Sequence, residues 1–446
     1  MLQPAVQSKP KKHPETFHIQ TFGCQMNLAD SSTLAANLIT RGYKRVGEES
    51  EADLIILNTC SVREKAEQRV YGRLGEILKY KRLKPHLRIA VVGCMAQRLG
   101  EALKEKVPHV DYVLGTDRQF ELPDVLQGIE GTQQVMTAFG HENLDNIEPI
   151  KETPFGGFIT ITRGCDNYCT YCIVPYVRGK EVCHSADYIV DGVKKMVDEG
   201  AVEITLLGQN VNSYNYDGLD FPGLLERVVK ETKIPRVRFM TSHPKDLSKK
   251  LVDVMGALPQ LMGHIHLPVQ SGSNRVLQKM GRIYTIEHYL RIIEYIRKVI
   301  PDTAITTDLI VGFPTETEEE FEMTLDAVRK IRYDSAFMFR YSVRPGTVAA
   351  RYVDDVPEQD KIRRLNKLIH LQQEIGHEVN QREIGQVRMG LVEGYSRRSD
   401  KVMRARTEGN KTVLFGAENV KPGEVVPVKV ENADAFTLHG HLVSPN

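Results

Sequence analysis

Cys165, Cys169 and Cys172 stand in the run Gly164-Cys-Asp-Asn-Tyr-Cys-Thr-Tyr-Cys172. Thiolates at this spacing can each bind one iron of a 4Fe-4S cube and leave the fourth iron open to a cofactor or substrate, whereas ordinary electron-transfer clusters fill all four positions with cysteine. With seven cysteines in 446 residues, chance would place partners at both +4 and +7 with a probability of about 0.002. Structural zinc is the alternative for three clustered thiols with a remote fourth ligand. Zinc hooks, however, favour paired Cys-x-x-Cys units, and this run holds one such pair. Tyr168 and Tyr171, between the ligands, are placed to shield a cluster from water.

Three further cysteines share an address. Cys24 follows Thr21-Phe-Gly, Cys60 follows Leu57-Asn-Thr and Cys94 follows Val92-Gly, each after an apolar strand pattern and before a helical one. In a parallel sheet such strand-to-helix junctions lie along one edge, so three thiols can converge there and hold a second cluster with a free iron. Core cysteines would instead fall inside strands or on apolar helix faces. Cys183, after Arg178-Gly-Lys-Glu181, receives no ligand role.

The elements that must position these residues can be read from hydrophobic period. Over 15–133, short apolar runs at 17–22, 53–58, 88–92 and 112–114 alternate with amphipathic stretches, which predicts a small parallel α/β sheet. A polar stretch at 134–153 is read as a linker that ends at Pro154. Over 154–383, six runs at 158–162, 202–207, 237–241, 264–268, 304–311 and 335–341 are separated by helical patterns and closed by a charged helix over 358–382. This α/β series predicts a partial (β/α)6 barrel with its site at the strand C-terminal ends. Residues 384–446 change character: short strands at 389–395, 402–407, 411–415, 424–430 and 437–443 predict a small antiparallel barrel, OB-like in type. Residues 1–14 are read as a flexible terminus.

Composition narrows the class. Hydrophobic residues make up 41% and charged residues 26%, with a formal net charge of +1. These are the values of an ordinary soluble protein, and whole-chain charge does not announce a nucleic-acid partner. The first fifteen residues, with Lys9, Lys11, Lys12 and His13, carry no apolar stretch, and no later segment is long enough to cross a bilayer. A cytoplasmic protein with no membrane partner and with reduced thiols is the expectation. The local basic set Arg397, Arg398, Lys401, Arg404 and Arg406, opposed only by Asp400, could meet RNA phosphates or form a solvated face.

The two cysteine sets, with Gln25-Met-Asn27 after the first and Ile173-Val-Pro-Tyr176 after the last, resemble the radical S-adenosylmethionine methylthiotransferases. Leu207-Gly-Gln-Asn-Val-Asn-Ser-Tyr214, His266-Leu-Pro-Val-Gln-Ser-Gly-Ser273, Ile310-Val-Gly-Phe-Pro314 and Tyr341-Ser-Val-Arg-Pro-Gly-Thr347 look like the family's tRNA branch. The likeness spans nearly the whole chain and implies a methylthiotransferase cluster domain, a radical domain and a C-terminal RNA-binding module of the TRAM kind. At Val182-Cys-His184 the chain departs from the Arg-Ser-Arg-like run of the family, so no contact is carried over there.

The resemblance implies two 4Fe-4S clusters, on Cys24, Cys60 and Cys94 and on Cys165, Cys169 and Cys172, with S-adenosylmethionine as both radical source and methyl donor. Such a cofactor suits the chemistry, because no side-chain base can usefully remove the hydrogen on carbon 2 of an adenine. The implied product is a 2-methylthio adenosine at tRNA position 37, on a base already carrying a dimethylallyl group. A different adenosine, or a ribosomal-protein aspartate, is the alternative within the same chemistry; a zinc-containing RNA-binding protein without activity is the alternative outside it. Gln209, Ser242, Gln270 and Gly312, at predicted strand ends, are candidate S-adenosylmethionine contacts or turn residues. The implied partners are the tRNA anticodon stem-loop, a flavodoxin or ferredoxin donor of low potential and a sulfur or cluster donor, with a monomer favoured. His243 and His266 are read as packed or hydrogen-bonded.

Overall fold

A computed structural model describes residues 15–61, 64–128, 133–140, 151–417 and 419–444. The segment 1–14 and residues 141–150 of the expected linker lie outside the described residues. The chain forms two compact units, one of residues 1–150 with 173–182, the other of 151–172 with 183–446.

The first unit is built on a parallel sheet. Its strands are β1 (Thr16–Thr21), β2 (Lys44–Arg45), β3 (Leu54–Thr59), β4 (Arg88–Gly93), β5 (Tyr112–Leu114) and β6 (Val135–Met136), in the order β2-β1-β3-β4-β5-β6. The two-residue edge strands β2 and β6 are too short to show a period, and β6 draws the start of the expected linker into the sheet. Every residue of β3 is buried, and its alternation divides two cores. Leu54 and Ile56 pack with Leu34 and Leu38 of α1 (Gln25–Thr40); Ile55 and Leu57 pack with Val70, Leu74 and Ile77 of α2 (Glu64–Leu83). Apolar residues at both parities are what a parallel sheet covered on both faces requires. The strand order reverses between β1 and β3, and such switch points open a crevice at the strand C-terminal ends. The helix α3 (Cys94–Leu99) follows β4 directly, and α4 (Val174–Arg178) packs against it through a small cluster of Cys94, Ile173 and Val177.

The second unit carries six parallel strands in two groups. Gly156–Thr160, Glu203–Leu207 and Arg236–Phe239 pair in sequence, as do His264–His266, Ala304–Val311 and Ser335–Arg340. A single bridge between Val237 and Leu261 joins the groups. Among the described residues no ladder closes the first strand on the sixth, so the expected partial barrel is open. The intervening helices start where the sequence supplies a cap: Ser185, Asp220, Ser248, Thr285 and Thr317 each accept a backbone N–H of the following turn. At Thr317 the Glu320 side chain completes a reciprocal capping box. The helix Glu358–Gln381 then lays Leu368 and Ile375 into the same core.

The C-terminal strands Val387–Ser396, Ser399–Arg406, Thr412–Gly416, Val425–Ala433 and Thr437–Leu442 form a closed barrel. Its pairs are antiparallel except that between Thr412–Gly416 and Thr437–Leu442, which is parallel and completes the closure. The expected barrel is therefore present with one parallel seam.

Candidate metal centres and nucleic-acid surface

In the first unit Cys24, Cys60 and Cys94 follow β1, β3 and β4, three neighbouring strands that straddle the reversal in strand order. Their junctions are locked by buried amides. Asn27 donates to Asn58 Oδ1 at 3.0 Å and to the Thr59 carbonyl at 3.1 Å, while Asn58 donates to the Asn27 carbonyl at 2.9 Å and to Ser31 Oγ at 2.9 Å. Cys24 Sγ lies 3.3 Å from Asn27 Oδ1. Close approach explains the two glycines before cysteines. A Cβ on Gly23 would stand 2.9 Å from the Cys60 Cβ; one on Gly93, whose φ is +89°, would stand 2.5 Å from Asn58 Oδ1. Cys24 caps α1 and Cys94 opens α3, at helix N-termini where backbone N–H groups favour anionic sulfur. Burial pushes the Cys94 thiol up, and the charge of Arg178 opposes this, with Cys24 close enough to contribute. Sequence reasoning missed the Asn27–Asn58 lock. Two amides three residues after one cysteine and two before another were the available signal.

In the second unit Cys165, Cys169 and Cys172 occupy one loop after the first strand. Thr170 pins it: its N–H donates to the Met280 carbonyl at 2.9 Å and its hydroxyl to the Lys279 carbonyl at 2.9 Å. Asn167 Nδ2 approaches Cys165 Sγ at 3.4 Å. Arg282, buried, donates to Cys169 Sγ at 3.4 Å, to the Pro268 carbonyl at 2.6 Å and to the Tyr284 hydroxyl at 2.9 Å. The two loop tyrosines differ. Tyr171 packs beside Val276, Met280 and Phe313, and burial raises its phenol, with Arg282 opposing; Tyr168 is 46% exposed.

No disulfide joins any of the cysteines among the described residues. Among the described residues no three His, Cys, Asp or Glu side chains close in on one point as a lone ion requires. The donor chemistry of both trios, three soft sulfurs beside a buried guanidinium, fits anionic iron–sulfur clusters.

The candidate cofactor contacts sit at successive strand ends. Among the described residues Gln209 Oε1, Ser242 Oγ and Gln270 Oε1 are buried atoms without a hydrogen-bond partner, an uncommon condition that calls for an explanation. Thr241 and Gln270 hold φ of +71°, a strained value for non-glycine residues that clusters at functional sites. Gly312 differs: its N–H donates to Glu316 Oε2 at 2.6 Å, and a Cβ there would strike Lys361. Burial pushes the Glu316 carboxyl up to about 7, against the Gly312 N–H and Arg364. His243 is kept neutral, lowered to about 2 by burial and then by Arg282 and Lys245. His266 bonds Thr306 Oγ1 at 3.0 Å. Cys183 packs on the large core, and His184 is buried and stacked on Tyr188 at 4.6 Å.

The basic set of the barrel separates into two groups. Arg397, Arg398 and Lys401 are exposed on one hairpin beside Tyr395, which is 59% exposed. Arg404 pairs with Glu393 at 3.0 Å, and Arg406 pairs with Glu393 at 3.0 Å and with buried Glu203 at 2.8 Å. Arg236 and Arg238 also hold Glu203, each at 3.0 Å. Two of the five predicted RNA contacts therefore serve ion pairs within the protein.

Comparison with known proteins matches residues 16–115 to "Uncharacterized protein family UPF0004", 159–328 to the Radical SAM superfamily and 381–443 to the TRAM domain. The tRNA-2-methylthio-N(6)-dimethylallyladenosine synthase of Moorella thermoacetica is 45% identical over 97% of this chain and 99% of that protein. The chain belongs to the tRNA-2-methylthio-N(6)-dimethylallyladenosine synthase family. A second member, from Parabacteroides distasonis, is 44% identical over 99% of this chain and 98% of its own length. Among solved structures, the radical S-adenosylmethionine methyltransferase TsrM of Kitasatospora setae superposes with a TM-score of 0.58 at 13% identity, over 84% of this chain and 78% of that one. The cobalamin-dependent radical enzyme OxsB gives 0.53 at 14%, over 79% and 56%. At these identities the likeness to both shows the fold alone.

Proposed function

We propose that this protein methylthiolates carbon 2 of N6-(dimethylallyl)adenosine at position 37 of tRNA. The carrying observation is the pairing of near-complete alignment to the synthase family with two cysteine trios, one at the sheet edge of the first unit and one in the first loop of the second. When bound, two 4Fe-4S clusters and S-adenosylmethionine supply the hydrogen-abstracting radical, the sulfur and the methyl group.

The chain's own residues hold and orient these groups. Cys24, Cys60 and Cys94 hold one cluster, with Asn27 and Asn58 fixing the junctions from which the thiols project. Cys165, Cys169 and Cys172 hold the other, with Thr170 and Arg282 fixing their loop. Gln209, Ser242 and Gln270 offer unpartnered polar atoms to S-adenosylmethionine, while Gly312 shapes the turn that carries its strand end. Arg397, Arg398 and Lys401 meet the phosphates of the anticodon stem-loop, and Tyr395 offers a stacking face to an unpaired base. The target adenosine leaves its stack cheaply because it lies in a single-stranded loop.

The low potential required, at or below about −400 mV, calls for a flavodoxin or ferredoxin donor, and a separate sulfur or cluster donor replenishes the sulfur that is transferred. The protein works as a cytoplasmic monomer; among the described residues no helix is long and apolar enough to cross a membrane. The test is anaerobic reaction of the reconstituted protein with prenylated anticodon stem-loop, reductant and S-adenosylmethionine, followed by mass spectrometry. The expected product gains one methylthio group in place of one hydrogen. An unchanged stem-loop, with both clusters present, would overturn the assignment.

A further inference from the structure

We propose that Arg178 is a positioning residue of the first cysteine trio: its guanidinium donates to the anionic sulfur of that site and eases the addition of negative charge to the cluster held there. The inference rests on the assignment of a cluster to Cys24, Cys60 and Cys94. Arg178 is 4% exposed, and Nη2 donates to Asp30 Oδ2 at 2.9 Å, a carboxylate with no side-chain exposure. The other terminal nitrogen, Nη1, is equally buried and has no hydrogen-bond partner among the described residues. A guanidinium serving only Asp30 would not leave a buried donor unmatched, because an orphaned charged N–H is among the costliest groups to bury. The sulfur site accounts for the mismatch. Cys94, Cys24 and Asp30 are the charged groups that face this guanidinium, and Val177, the residue before it, packs on Cys94.

The placement of Arg178 is held by its surroundings. Val177 and Ile173 pack on Cys94, and Thr116 Oγ1 donates to the Val177 carbonyl at 2.8 Å. The helix α4 is only five residues long and ends at Gly179, whose φ is +74°, so Arg178 is its last residue. Asp30, on α1, grips the guanidinium from the opposite element. Three soft thiolates on a cluster give a site whose reduction adds one electron to an already anionic assembly. A fixed buried cation favours the reduced form, and hydrogen bonds to cluster sulfur act in the same direction. Asp30 opposes it as a buried negative charge.

The experiment uses the full chain with Cys165, Cys169 and Cys172 all changed to Ala, reconstituted anaerobically so that iron reports the first trio alone, with its midpoint potential read by EPR-monitored titration. Arg178→Gln should shift the midpoint downward at unchanged iron content. Arg178→Lys, which keeps the charge, should stay nearer the parent, and Asp30→Asn should shift upward. An iron-loaded Arg178→Gln with an unmoved midpoint overturns the inference. Should Arg178→Gln fail to load iron, an unmoved midpoint in Asp30→Asn overturns it equally. Absence of iron in the parent with Arg178 intact instead removes the cluster assignment, and the inference with it.

Discussion

Arg282 Nη1 stands 3.4 Å from Cys169 Sγ, and the same guanidinium holds the Pro268 carbonyl and the Tyr284 hydroxyl. One buried side chain thus ties the cysteine loop to the strand end that carries Gln270. Replacing Arg282 by Met leaves two buried oxygen acceptors with fewer partners, at a cost of about 1–3 kcal/mol each. The expected outcome is a lower urea midpoint, together with iron content falling toward that of Cys169→Ala. Full iron and unchanged stability would contradict it.

The lock at the first trio predicts a second effect. Gly93→Ala must place a Cβ at φ +89°, 2.5 Å from Asn58 Oδ1 and 2.8 Å from the Thr59 carbonyl. With ψ of −155° this is backbone that essentially only glycine adopts, a strain of about 1–3 kcal/mol for any other residue, and the clash displaces Asn58 from Asn27. Iron bound by the first trio should be lost while that bound by Cys165, Cys169 and Cys172 remains. Iron analysis and EPR of the variant separate these outcomes.

Much of the architecture could be read because it depends on local pattern. The apolar runs of β3 and β4, and the Ser, Asp and Thr caps before the helices of the second unit, state their own secondary structure. The junction position of Cys24, Cys60 and Cys94 was visible for the same reason. What could not be read depends on contacts distant in sequence. Arg178 meets Asp30 across 148 positions and Arg282 meets Cys169 across 113, and no period marks either. Arg404 and Arg406 looked free because Glu393 sits at a bulge in the hairpin register, between Val392 and Gly394, and Glu203 lies far off in the sequence, on the strand Glu203–Leu207.

Glu203 gives a pH prediction. Burial pushes its carboxyl up, but Arg238, Arg406 and Arg236 together bring it below the usual range. A carboxylate depressed in the folded state contributes stability above its unfolded value, about 4.3, and that contribution is lost as pH falls through the folded value. Removing one partner of a buried pair costs about 3–5 kcal/mol. Urea unfolding of Glu203→Gln should therefore differ widely from the parent at pH 7, and the difference should narrow below about pH 4. A gap independent of pH would refute the charge argument.

The division of the basic set predicts unequal roles in RNA binding. Arg397→Ala, Arg398→Ala and Lys401→Ala should each weaken stem-loop binding and reduce the salt slope by about 0.7 per lost contact with single-stranded phosphate. Arg404→Ala, already engaged with Glu393, should leave the slope nearly unchanged. Tyr395→Ala should cost about 1–3 kcal/mol if a base stacks on it. Fluorescence anisotropy at several salt concentrations measures all five.

The parallel seam between Thr412–Gly416 and Thr437–Leu442 has its own consequence. A cylinder sealed all the way round exposes no row of unpaired amides, so neither a foreign polypeptide nor a second copy can extend it by strand addition. Whatever docks on this module must be gripped by side chains projecting from its wall and hairpin tips, a mode suited to a flexible polyanion.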